Sequence, residues 1–324
     1  MARQPSRLPW SRERLEHERS IALGAVLEAS SHASYNSALQ SYLTFCQAHH
    51  FPIDPTPDTL SFYIVYMCHH IKPKSVSSYL SGICNQLEPI YPEVRIHRKH
   101  RLVTNTLRGC TKLRAIPTTR KRPITREELV HITSQYPPSA SHDDKLFIAI
   151  LLTGFHGLMR LGELAWPDKL SLRDYRKVSR CNTVNISDNT FSFLLPSHKA
   201  DHTFEGNQIL LHSTNTGDDP LHAFTSYLTS RDTSFPLNPE LWLCADGSIP
   251  TRNWFLRRLR THLPDKDVAG HSLRAGGATA LALAGIPGYL IQAIGRWASD
   301  TFRIYIRQHP TLLAAILYNA RNAT

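Results

Sequence analysis

The residues best suited to chemistry lie between His271 and Tyr305. His271 and Arg274 are three residues apart, so on a helix they share one face and present donors to a single anion. Trp297 and Tyr305 follow downstream, with Trp297 in the sequence Gly-Arg-Trp. A tyrosine beside such a cluster can attack a phosphodiester whose charge the cations hold. This segment therefore predicts phosphoryl transfer with Tyr305 as the nucleophile.

A further candidate cation is Arg160, which follows a glycine-rich turn and precedes Glu163 by three residues. Taken alone, this pair is more typical of an Arg/Glu pair on a helix surface. The hydrophobic residues on either side and the downstream segment favour the other interpretation. They predict a partly buried Arg160 that Glu163 orients.

Lys199 is placed between two predicted strands, after the sequence Leu-Pro-Ser-His. A lysine in a hairpin turn is usually a solvated turn residue. It also has the reach and the donor to protonate a leaving oxygen, if the hairpin bends over a bound phosphate.

Together these residues resemble, in order and approximate spacing, the motif set of the tyrosine recombinase (phage integrase) family. The resemblance rests on Arg160, Lys199, His271, Arg274, Trp297 and Tyr305. It extends to the layout of the chain from about residue 20 onward. The Leu-Pro-x-x-Lys and Gly-Arg-Trp sequences are most similar to the recombinases of eukaryotic mobile elements such as Cryptons. Each motif alone is weak, whereas five in sequence are specific.

The resemblance implies a metal-free strand transfer without a cofactor. Tyr305 would attack the scissile phosphate, form a 3′-phosphotyrosyl intermediate and release a 5′-hydroxyl. Lys199 would act as the general acid to the 5′-oxygen. His271 would assist proton transfer from Tyr305 or donate to the phosphate.

The resemblance also implies that Arg160 and Arg274 hold the non-bridging phosphate oxygens, through planar forks suited to phosphate. Trp297 would donate its indole N–H to the phosphate or pack against the site. One departure concerns this last position, because the usual spacing of nine residues before the tyrosine falls on Arg296. Trp297 is the preferred donor, and Arg296 is the alternative.

The charge of the chain indicates a polyanionic partner, which we take to be double-stranded DNA. The formal net charge is +11, and between Glu93 and Glu127 there are eleven Lys and Arg and no acidic residue. Such clustering predicts sequence-independent phosphate contacts, and the start of a helix at Lys72 predicts an anion site. The candidate DNA-binding residues are Lys72, Lys74, Ser75, Arg98, Lys99, Arg101, Arg108, Lys112, Arg114, Arg120, Lys121 and Arg122. Arg120 to Arg122 are equally typical of a nuclear-import signal, and both roles can coexist.

Other patterns exclude several function classes. The six cysteines form no Cys-x-x-Cys pair and the histidines have no ligand spacing, so we expect neither a disulfide framework nor a metal site. The N-terminus lacks the hydrophobic core of a signal peptide. The longest hydrophobic run, 146–159, is too short to cross a bilayer. We expect an intracellular protein without a small-molecule substrate, nuclear if eukaryotic and cytoplasmic or nucleoid-associated if bacterial.

The pattern along the chain predicts a mainly α fold with a small antiparallel β-sheet. It divides into a flexible arm (1–18), a helical, SAM-like core DNA-binding domain (19–116), a basic linker (117–123) and an α+β tyrosine-recombinase catalytic domain (124–324). Three short β-branched and aromatic runs at 183–186, 190–195 and 207–212 predict the strands. Thr125 and Glu128 match a helix capping box at the start of the catalytic domain.

Two other functions remain open at this point. One is DNA relaxation in the manner of a type IB topoisomerase, and the other is a catalytically silent, domesticated DNA-binding protein. Members of the family work as homo-tetramers on two DNA segments and commonly exchange a C-terminal helix. The hydrophobic segment 311–318 is suited to docking on a neighbour, and equally to folding back on its own domain.

Overall fold

The computed structural model describes residues 8–114, 121–198, 201 and 204–297. The chain divides into two compact units, one up to residue 118 and one from residue 119 onward. Within the described ranges, no helix is long and hydrophobic enough to cross a membrane.

The first unit is helical wherever regular structure is described. Its helices are α1 (Arg12–Gly24), α2 (Ala29–Ala48), α3 (Pro57–His70), α4 (Pro73–Leu87), α5 (Val94–Lys99) and α6 (Arg101–Arg114). Helix α3 begins where the Thr56 hydroxyl accepts a hydrogen bond from the Thr59 N–H, with proline at the first helical position. Tyr42, Tyr63 and Leu80 form part of the buried core between the helices. The helical structure predicted for this part of the chain is confirmed.

The N-terminal segment differs from the predicted flexible arm. Residues 12–24 form α1, capped where the Ser11 hydroxyl accepts from the Arg14 N–H. No residue of α1 is buried. The sequence did not indicate α1, because the main sequence signal for a helix is a periodic hydrophobic face, and α1 buries no such face in its own unit.

The second unit combines helices with one antiparallel sheet of three strands in the order β1-β2-β3. Its elements are α7 (Arg126–Ser134), α8 (His142–His156), α9 (Leu161–Leu164), β1 (Asn185–Ser187), β2 (Thr190–Leu195), β3 (Asn207–His212), α10 (Pro220–Ser234), α11 (Arg252–His262), α12 (Gly270–Leu283) and α13 (Gly288–Ile294). In β2 every second residue is buried, so the sheet covers the core with one face. The predicted sheet is confirmed.

Helix α8 is the centre of the second unit, because its residues from Leu146 to Phe155 are all buried. Sheet and helix meet where the Phe191 ring stacks on Phe224 of α10, with ring centroids 4.1 Å apart. Since α8 is hydrophobic all round, it is fixed on every side. The residues that follow its last turn therefore start from a rigid position.

Two cations of the predicted linker are held by carboxylates and carbonyls of the second unit. Arg122 forms ion pairs with Glu128 at 2.8 Å and with Asp265 at 2.7 Å. Lys121 Nζ donates to the Lys266 carbonyl at 2.5 Å. The capping box of Thr125 and Glu128 is present as predicted. Arg122 thus anchors the start of α7, a structural role that the run of cations did not indicate.

Candidate active site

Arg160 lies directly after the buried helix α8, at the start of the short helix α9. Its Nη1 donates to Glu163 Oε1 at 2.8 Å, and its backbone N–H donates to Glu163 Oε2 at 2.9 Å. The Glu163 side chain is 6% exposed, whereas that of Arg160 is 28% exposed. Glu163 therefore fixes Arg160 from the buried side, as predicted, and leaves part of the guanidinium accessible.

Arg274 of α12 is fully buried beneath the site. Its Nη1 donates to the Leu158 carbonyl at 2.5 Å, and its Nη2 donates to the Gly295 carbonyl. Leu158 and Gly295 follow the C-terminal ends of α8 and α13, where helix dipoles concentrate partial negative charge. Two helix C-termini thus stabilise one buried cation. The sequence indicated a phosphate ligand at Arg274 but not this depth of burial.

Two glycines allow α12 to approach α8 closely. A Cβ on Gly276 would collide with the Ile124 carbonyl, and one on Gly277 would collide with the Phe155 carbonyl. The Ala-Gly-Gly sequence after Arg274 therefore has a packing role. It places Arg274 within reach of the Leu158 carbonyl.

Trp297 and Arg296 both reach the same cluster, from the end of α13. The Arg274 guanidinium lies over the Trp297 ring, 4.0 Å from its centroid. The ring occupies the space that a Cβ on Gly295 would need. Arg296 instead forms an ion pair with Glu163 at 3.2 Å. Neither its contact with Glu163 nor the shared use of that carboxylate was indicated by the sequence.

His271 has an exposed side chain near the two arginines of the motif set. Desolvation, and then the positive charges of Arg274 and Arg160, lower its pKa below the ordinary value of 6.5. The charged form of the ring is thus disfavoured, and the neutral imidazole predominates at neutral pH. A neutral imidazole can accept a proton from a nucleophile.

The lowered pKa of His271 gives a pH prediction. If His271 accepts the nucleophile's proton, the rate of DNA cleavage should be constant at neutral pH and should fall only as pH drops below 6.5. The fall should be absent in His271→Gln, whose residual rate should not depend on pH in this range. Cleavage rates measured at saturating DNA check this. A rate that rises as pH falls would instead assign His271 as a proton donor.

Lys199 and Tyr305 lie outside the described residues, so their roles stay predictions. The strands on either side of Lys199 in the sequence, β2 and β3, are the ones predicted for its hairpin. Arg120 also lies outside the described residues.

The remaining candidate DNA-binding residues are on the first unit, mostly exposed. Arg101, Arg108 and Lys112 share one face of α6, opposite the buried Val103 and Cys110. Arg98 donates to the Ser77 carbonyl at 3.3 Å, and Arg114 donates to His69 at 2.6 Å.

The other candidate DNA-binding residues of the first unit, three lysines and one serine, are also at the surface. Lys99 is exposed at the end of α5. Lys72, Lys74 and Ser75 are exposed at the start of α4, with Lys72 as its N-cap residue. The first turn of a helix presents backbone N–H groups to anions, as the sequence predicted for this position.

Metal and disulfide chemistry were not expected from the sequence. Among the described residues, no three His, Cys, Asp or Glu side chains are grouped so that they could hold a metal ion. All six cysteines lie within those ranges and are free thiols.

Solved structures of recombinases and integrases share this fold. A lambda integrase dimer bound to a COC′ core site has a TM-score of 0.57 at 14% identity, covering 91% of this chain and 94% of that chain. XerH site-specific recombinase, in a post-cleavage complex with a palindromic difH substrate, has a TM-score of 0.54 at 16% identity, covering 82% and 72%. The Tn1549 transposon integrase in complex with transposon right-end DNA has a TM-score of 0.53 at 15% identity, covering 83% and 86%.

Comparison of the sequence alone does not detect this similarity. No family model matches the sequence, and no curated protein matches it. The similarity therefore lies in the fold, and the chain has the fold of tyrosine recombinases and integrases.

Proposed function

We propose that this protein is a tyrosine recombinase, which cuts and rejoins double-stranded DNA through a 3′-phosphotyrosyl intermediate. The observation that supports it most is the convergence of Arg160, His271 and Arg274 in the second unit. His271 and Arg274 share helix α12 and Arg160 follows α8, yet the positive charges of both arginines act on the His271 ring. Fold alone does not define function. The support for strand transfer comes from this cluster of residues.

In the proposed reaction the Tyr305 oxygen forms a bond to phosphorus while the bond from phosphorus to the 5′-oxygen breaks. His271 takes the tyrosine proton, and Lys199 gives a proton to the leaving 5′-oxygen. Rejoining reverses both transfers on a new 5′-hydroxyl. One phosphodiester replaces another, so the step needs no oxidant or external energy source.

Arg160 and Arg274 stabilise the negative charge that is redistributed in the transition state. Arg160 is partly exposed and can meet the phosphate directly. Arg274 is fully buried, and it also orders the ends of α8 and α13 by donating to the Leu158 and Gly295 carbonyls.

DNA is held mainly by its backbone in this proposal. The face of α6 formed by Arg101, Arg108 and Lys112 and the start of α4 supply contacts that do not depend on base sequence. A homo-tetramer on two DNA segments, a mobile element of the Crypton type as the source, and a nuclear location in a eukaryote complete the proposal.

The proposal is tested with a suicide DNA substrate built from the sequence that flanks the gene, in the presence of EDTA. We expect a covalent protein–DNA adduct that is abolished in Tyr305→Phe, because phenylalanine has no nucleophilic oxygen. The matched control is Tyr289→Phe, since Tyr289 is a 70% exposed tyrosine of α13. It should form the adduct at the rate of the unmodified protein.

The other outcomes separate the alternatives. Binding to the substrate without an adduct would favour the silent DNA-binding protein. Relaxation of unrelated supercoiled DNA that depends on Tyr305 would favour the topoisomerase. An adduct that persists in Tyr305→Phe would show that Tyr305 is not the nucleophile.

A further inference from the structure

Arg296 occupies a backbone position that usually belongs to glycine. It is the first residue after the Gly295 cap of α13, with φ of 54°. The Arg296 N–H donates to the Ala293 carbonyl at 3.0 Å and the Trp297 N–H to the Gln292 carbonyl at 3.1 Å. These two bonds define a Schellman motif, whose left-handed residue is most often glycine.

The preceding helix, α12, ends in the same motif with the usual residue. Gly285 has φ of 80°, and the Ile286 N–H donates to the Leu281 carbonyl at 3.0 Å. In α13 the glycine is one position earlier, at Gly295, where the Trp297 ring fills the space of a side chain. The left-handed position is thereby left to an arginine, which is conformationally unfavourable there.

The side chain of Arg296 is also costly to bury. It is 10% exposed, and its buried Nε has no hydrogen-bond partner. Burial lowers the pKa of the guanidinium, although Glu163 opposes this. Backbone and side chain are thus both held in unfavourable states, which is typical of residues kept for function rather than for stability.

One carboxylate positions Arg296 and Arg160 together. Glu163 Oε1 accepts from Arg160 Nη1 at 2.8 Å, and Oε2 accepts from Arg296 Nη2 at 3.2 Å. A single negative charge thus serves two guanidinium groups, with buried Arg274 nearby. The cluster retains an excess of positive charge that an anion can balance.

Arg296 also borders a groove in the second unit. It lines a groove of about 550 Å³ with Ile294 of α13, Gly157 and residues of β3 (Asn207–His212). The strand β3 is the one that follows Lys199 in the sequence. An anion that enters the groove therefore meets Arg296 next to β3.

We propose that Arg296 is a third phosphate-binding arginine of the site and that Glu163 is the residue that positions it beside Arg160. The guanidinium of Arg296 then donates to a non-bridging oxygen of the scissile phosphate, at the position where the sequence favoured Trp297. Trp297 instead packs on Gly295 and covers Arg274. This inference rests on the proposed function for the identity of the anion.

The first test replaces Arg296 with the residue that its backbone prefers. Arg296→Gly should slow adduct formation by about 100-fold while the melting temperature stays the same or rises. Arg296→Lys, which keeps the charge without the fork, should recover part of the rate. Glu163→Gln should reduce the rate as well, because both arginines lose their shared anchor. Trp297→Phe should reduce the rate less than Arg296→Gly does.

A matched control exists at the end of α2. His50 has φ of 55° in the same motif, with the Phe51 N–H donating to the Cys46 carbonyl at 2.9 Å. His50→Gly should raise the melting temperature and leave adduct formation unchanged. If Arg296→Gly instead lowers the melting temperature by several degrees and cleaves at nearly the full rate, Arg296 is structural and the inference is wrong.

A second readout does not require cleavage. In the Tyr305→Phe background, DNA affinity is measured over a range of salt concentrations with and without Arg296→Gly. Loss of one phosphate contact should reduce the slope of log affinity against log salt by about one. A reduced slope, together with no adduct from the unmodified protein that retains Tyr305, would support the phosphate contact and overturn the proposed cleavage. An unchanged slope, together with full adduct formation by Arg296→Gly in the protein that retains Tyr305, would overturn the contact and keep the cleavage.

Discussion

Arg274→Lys is expected to slow adduct formation by about 10²–10³-fold and to lower the free energy of unfolding by about 2 kcal/mol. The second effect follows from the buried geometry. Arg274 bridges the Leu158 and Gly295 carbonyls and lies over the Trp297 ring. A lysine has no planar fork to span two carbonyls, so at least one of them would be left buried without its donor.

A second buried arginine, Arg231, provides a control that distinguishes an effect on stability from an effect on the rate of cleavage. Arg231 of α10 is 1% exposed and donates to the Glu240 carbonyl at 2.9 Å and to that of Asn238. It lies in the second unit but in none of the contacts described for the site. Arg231→Lys should therefore destabilise the protein by a similar amount and cleave at the normal rate below its melting transition. Equal losses of cleavage in the two variants would mean that Arg274 acts through stability alone.

The sequence predicted local elements well where the pattern is itself local. Strands β2 and β3 have the predicted bounds, because alternating hydrophobic residues and a connection between them define a hairpin. Helix α10 begins at Pro220, where the local signal is a proline in the first turn. Helix α1 was missed because its residues are exposed in their own unit.

The burial of Arg274 could not be read from the sequence. It depends on Leu158 and Gly295 at the ends of α8 and α13, which are 116 and 21 residues away in the chain and meet only in the folded unit. The pairing of Arg122 with Asp265 is equally non-local. The sequence placed candidate residues in order, but contacts between distant segments decide which of them are exposed.

The position of Arg296 is an intermediate case. Its distance from Tyr305 marked it as an alternative donor, and the type of residue favoured Trp297. What distinguishes the two is a backbone conformation and a carboxylate, Glu163, from another helix. Neither is encoded by spacing along the chain.

Gly277→Ala is expected to lower the free energy of unfolding by about 2 kcal/mol. Helix propensity alone favours alanine by about 1 kcal/mol. Against this, the new Cβ would collide with the Phe155 carbonyl and lie 2.5 Å from Leu158 Cδ2, an overpacking that costs about 3 kcal/mol. The melting temperature of the second unit should fall by about 6 °C, as measured by calorimetry on the full chain.

Gly109→Ala is the matched control, because Gly109 is a glycine in α6 with nothing within 4 Å of an added Cβ. That change should raise stability by about 1 kcal/mol. Gly277→Ala should also slow cleavage, because backbone atoms of α8 cannot yield as a flexible side chain would. Helix α12 must then move away from α8, and this movement separates Arg274 from the Leu158 carbonyl. If the protein loses stability without losing cleavage, the contact between α12 and α8 holds the unit together but does not position the arginine.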